Sequence, residues 1–70
     1  MIKDVIRVIK PDENGKTRWT YIVNYDGRSV RYSDNKNLPM TVLNYVLEAE
    51  CETEYVKNCP QPYKLETYRK

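Results

Sequence analysis

Seventy residues carry twelve Lys and Arg against ten Asp and Glu, a formal charge of +2. That is ordinary solubility, and it excludes the dense basic footprint of a strong polyanion binder. The chain has no His, which removes Ser-His and Cys-His nucleophile pairs, the usual imidazole base and the commonest neutral metal ligand. The length suits one small domain, residues 1–70.

The charge is unevenly spread. Residues 1–37 carry a net +3 and residues 38–70 a net −1. Seven Tyr, one Trp and no Phe give every ring a polar handle, suited to a packed side and a wet tip.

In chain order, IKDVIRVI at 2–9 alternates loosely and is rich in Ile and Val, so it reads as a strand. MIKDVIRVIK has no continuous apolar core of the kind a signal peptide needs. No apolar run reaches the length of a membrane span. The expectation is a cytoplasmic protein with no membrane contact. KPDENGK follows as a loop. With Asn14-Gly15 as a two-residue turn, Val8 faces Tyr21 and Ile6 faces Val23.

The stretch RWTYIVNYDGRSVRYS, 18–33, reads as two strands joined by Asp26-Gly27. One face then collects Trp19, Tyr21, Val23, Val30 and Tyr32. The other collects Thr20, Ile22, Asn24, Ser29, Arg31 and Ser33. This sorting by polarity fixes the register.

DNKNLP breaks the sheet, with Asn37 as a candidate cap and Pro39 in the first helical turn. From Pro39 to about Glu50, Met40, Leu43, Val46 and Leu47 recur at helical spacing, widened by Val42 and Ala49. Thr41, Asn44 and Glu48 form the polar stripe. Such a helix lies across the Trp19 face and buries Trp19. ECETEYVKN fits either a helical extension or a strand. Cys59-Pro60-Gln61-Pro62 ends whatever precedes it. PYKLETYRK alternates, as a last strand or an extended tail. The predicted fold is therefore α+β: a three-stranded antiparallel meander with one helix on one face, plus a C-terminal strand or tail.

No motif names a reaction. Gly15 and Gly27 both sit in predicted turns, so no phosphate loop can be assembled. Cys51 and Cys59 without His fall short of a four-ligand zinc site. They read as two reduced thiols, and no cofactor or metal is expected. Glu48, Glu50, Glu52 and Glu54 are spaced by two. On a strand they line one side, as an acidic edge for a basic partner or as plain solvated surface. The second sheet face, in the register above, shows Lys3, Val5, Arg7 and Ile9 beside Ile22, with Arg31 across from it. Arginine and aliphatic groups on a flat sheet can dock a protein or read a nucleic-acid backbone.

The meander followed by a helix, carried by 18–49, resembles in topology the DNA-binding fold of integrase arm-binding domains. That likeness implies groove reading by the free sheet face. In brevity, Tyr and Asn content and lack of catalytic machinery, the chain also resembles small accessory proteins of bacteriophages, which bind and inhibit or redirect a host protein. The expected function is a non-enzymatic protein-binding module, an inhibitor or a subunit of a homo-oligomer. The alternative is nucleic-acid binding by the sheet face. The candidate partner-binding residues are Arg7, Ile22, Asn24, Arg31, Glu50, Glu52 and Glu54.

Overall fold

The computed structural model describes residues 1–33 and 37–70. Its elements are β1 (Ile2–Pro11), β2 (Thr17–Tyr25), β3 (Arg28–Ser33), α1 (Met40–Glu48), β4 (Glu50–Val56) and β5 (Tyr63–Arg69). All five strands join one antiparallel sheet in the order β3-β2-β1-β5-β4. The expected three-stranded meander is thus corrected to five strands. The ambiguous 50–56 stretch is a strand, and the last segment inserts between it and β1. Thr53, Tyr55 and Val56 favour a strand. Helical extension stops because α1 ends at Ala49, whose backbone is already extended (φ −82, ψ 157).

The β2–β3 hairpin has the register its polarity pattern dictates. Tyr25 faces Arg28, Val23 faces Val30, Tyr21 faces Tyr32 and Ile22 faces Arg31. Gly27 closes it with φ +81, in the left-handed region that glycine occupies without steric cost.

The β1–β2 register is one residue away from expectation. Val5 faces Val23, Arg7 faces Tyr21 and Ile9 faces Trp19. The cause lies in the loop. Asp12 and Lys16 close it through Asp12 N–H to Lys16 O at 2.8 Å, and Gly15 N–H donates to Asp12 O at 3.0 Å. Three residues, Glu13 to Gly15, make the connection, with Gly15 at φ +78. This is the geometry of a turn followed by a left-handed glycine. The Asp12 carboxylate accepts the Asn14 and Lys16 N–H groups at 2.9 and 2.8 Å, a side-chain turn that a two-residue loop would not hold. A slip of one residue sends every β1 side chain to the opposite face.

α1 covers one face of the sheet. The core there is Val5, Tyr21, Val23, Leu38, Val42, Tyr45 and Tyr68. Val42 and Tyr45 are the helix's buried residues, so the helix is rotated from the expected arc. Met40 is 69% exposed and Leu47 82%. The reason is Tyr45. Its hydroxyl donates to Lys3 O at 2.9 Å and accepts Lys70 N–H at 3.2 Å, so the polar tip is satisfied while the ring packs. Trp19, expected inside, is 39% exposed, because α1 runs over the β1–β5 side and leaves that end of β2 uncovered. Pro39 itself is the helix N-cap, without a side-chain cap bond, so Asn37 does not serve as one. Part of the predicted sheet break, 34–36, lies outside the described residues.

Candidate functional site

The face away from α1 carries no covering element among the described residues. Directly paired residues of an antiparallel sheet share a face, so the registers define its rows. One row runs Arg31, Ile22, Ile6, Thr67, Glu52 across all five strands. The next runs Ser33, Thr20, Val8, Leu65, Glu54. Ile6, Val8, Ile22, Leu65 and Thr67 are each half-buried. They form an aliphatic centre flanked by charge at both edges.

A third row is polar and internally wired. Ser29 Oγ donates to Asn24 Oδ1 at 2.6 Å, and Asn24 Nδ2 donates to Asp4 Oδ1 at 2.6 Å. Asp4 Oδ2 then meets Arg69 at 3.7 Å. Asn24 is therefore committed to the sheet, and its amide positions Asp4. Arg31 on β3 and Glu50, Glu52 and Glu54 on β4 are exposed and make no ion pair among the described residues.

Six of the seven predicted residues thus share this face: Ile22, Asn24, Arg31, Glu50, Glu52 and Glu54. Arg7 does not. The register shift puts it on the helix side, against Tyr21. Its Nε donates to Glu66 Oε1 at 2.6 Å, and its terminal nitrogen meets the same oxygen. Its guanidinium lies 5.4 Å from the Trp19 and Tyr68 ring centroids and 5.9 Å from that of Tyr21. The predicted flanking of Ile22 by Arg7 and Arg31 is corrected accordingly. Ile6 occupies the place assigned to Arg7. Ile6 and Val8 escape the sequence reading for the same reason, whereas Leu65 escapes it because β5 pairs with β1. The signal that could have found them is Asp12 two residues before Asn14, the mark of a side-chain-capped three-residue loop.

The perturbed groups cluster on the helix side. Burial alone would push the Glu66 carboxyl up. The Arg7 hydrogen bond and charge, with the Tyr68 hydroxyl at 3.1 Å, outweigh it and hold Glu66 below its ordinary value. Burial and then the Glu66 carboxylate push the Tyr68 phenol up, against the opposing Arg7 charge. Burial works against the Arg7 charge, but its bonds to Tyr21 and Glu66 prevail and raise it further. These groups neutralise one another. Cys51 and Cys59 are not bonded to each other, and no group of metal-ligating side chains forms among the described residues.

No helix among the described residues is long and apolar enough to cross a membrane. No protein family, curated protein or solved structure matches this chain.

Proposed function

We propose that this chain is a non-catalytic protein-binding module and that its docking surface is the uncovered sheet face. The observation that carries the reading is the row Arg31, Ile22, Ile6, Thr67, Glu52. An apolar centre with charge confined to its rim is the make-up of a protein interface. Lys10, Arg18, Arg31 and Arg69 on this face are balanced by Asp4, Glu50, Glu52 and Glu54. A face with no net charge gives a phosphate backbone little to neutralise, which ranks nucleic acid below protein.

The test is photo-crosslinking from position 20, beside Ile22, in a lysate of the cell that naturally expresses the protein, with and without nuclease. The expected adduct is a polypeptide, unchanged by nuclease and lost in Ile22→Asp, which would bury an unpaired charge. A nuclease-sensitive adduct overturns the reading. Circular dichroism of Ile22→Asp confirms that the fold is intact.

A further inference from the structure

We infer that the occupant of this face is a second copy of the same chain, packed sheet on sheet about a two-fold axis parallel to the strands; this rests on the protein-binding reading above. The argument is the order of side chains along the rows. An isologous interface needs a surface complementary to itself under a 180° rotation. Two in-plane axes can stack this face on its copy. An axis across the strands lays β3 over β3 and sets Arg31 against Arg31, and Glu52 against Glu52. An axis along β1 lays β3 over the partner's β4 and reverses each row. Arg31 then meets Glu52 twice, once on each side. Ile6 lies over Ile6 at the centre, and Ile22 over Thr67. Of the two, only this second axis sets the rim charges of β3 and β4, Arg31 and Glu52, against their opposites.

The row above behaves the same way. Val8 lies over Val8, Thr20 over Leu65, and Ser33 over Glu54. The third row brings Asp4 near Asp4. Each of those carboxylates is already bonded by Asn24 at 2.6 Å and paired with Arg69 at 3.7 Å, so the contact is between neutralised groups. The same axis brings Lys10 near Lys10 at the exposed end of β1, where solvent and salt screen the like charges.

The size also fits. Five strands of 10, 9, 6, 7 and 7 residues, about 4.8 Å apart and about 3.3 Å per residue, present a face of about 600 Å², at the lower end of the roughly 600–1,000 Å² per partner of a standard interface. The charges at the two edges orient the pair and set its register more than they add affinity. The half-exposed aliphatic rows supply the driving force.

The experiment is sedimentation equilibrium of the purified chain at roughly 100 μM, where a dimer dissociating near 10 μM is mostly associated. Wild type is expected to be a dimer. Arg31→Glu alone, and Glu52→Arg alone, should each weaken it at least tenfold, since each sets like charges together on both sides. An equimolar mixture of the two single variants should restore the dimer, because every rim contact in the mixed pair is again of opposite sign. The double variant R31E/E52R should restore it as well. These positions are exposed, and urea melts confirm that each variant folds. A monomeric wild type overturns the dimer while leaving the crosslinking from position 20 to decide the protein-binding reading. A dimer indifferent to both single swaps overturns this arrangement. Dimerisation recovered in neither the mixture nor the double variant does so too.

Discussion

Arg7 shows how far one residue of register changes a side chain's role. On the free face it would be a recognition group; on the helix face it neutralises Glu66 beneath three aromatic rings. Removing one member of a mostly buried pair leaves the other uncompensated. Arg7→Ala should therefore cost about 3 kcal/mol in urea unfolding, and adding Glu66→Gln should recover part of that loss. Glu66 also sets an acid limit. Its folded carboxyl titrates below the ordinary value of about 4.5. Its contribution is fully present above that value and is lost as pH falls through the lower folded one. Stability should decline below about pH 4.5, and Glu66→Gln should flatten that decline in pH-dependent melts. Alternation with Tyr21 and Val23 assigns Trp19 to the core face. Sequence periodicity assigns a face, but it does not say how much of that face one nine-residue helix covers. Trp19→Ala should then cost only about 2 kcal/mol, half the loss expected for a buried ring. Val42→Ala, at a fully buried helix position, should cost about 2 kcal/mol and shift the urea midpoint at least as far.

At the scale of elements, local chemistry was legible where it is self-contained. The β2–β3 hairpin follows from Asp26-Gly27 and the cross-strand sorting of Ile22 with Arg31 and Val23 with Val30. The loop before it was not, because Asn14-Gly15 suits two turn lengths and only the Asp12 carboxylate separates them. Asp12→Ala should cost about 1 kcal/mol through those lost bonds. Gly15→Ala should cost about 1–2 kcal/mol through its φ of +78, although nothing stands within 4 Å of the added carbon. α1 was legible in extent but not in rotation. Apolar periodicity favoured Met40 and Leu47, whereas Tyr45 bridges Lys3 and Lys70. Tyr45→Phe keeps the ring and removes that bridge. A loss of about 1–2 kcal/mol in thermal or urea melts is expected.

At the scale of the whole molecule, the five-stranded order was hidden because non-adjacent pairing leaves no local trace. β5 belongs beside β1, and only then does β4 gain a partner. Spacing alone makes the acidic series an edge only if the stretch is a strand. Its position opposite Arg31 across the full width of one face appears only once all five strands are laid in order.

That insertion has a kinetic meaning. β1 meets β2 through a short loop, but Arg7 and Glu66, neighbours in space, are 59 positions apart in sequence. Closing so long a loop costs entropy before any contact rewards it. The β1-β2-β3 ribbon, whose connections are short, is therefore expected to form the folding nucleus, with β5 docking after it. Leu65→Ala should speed unfolding and leave the refolding rate almost unchanged, whereas Val23→Ala should slow refolding. In the interval, β1 stands as an open edge, its Ile- and Val-rich backbone unpaired. The protein's exposure to misassembly is thus governed by how fast one seven-residue strand finds its slot.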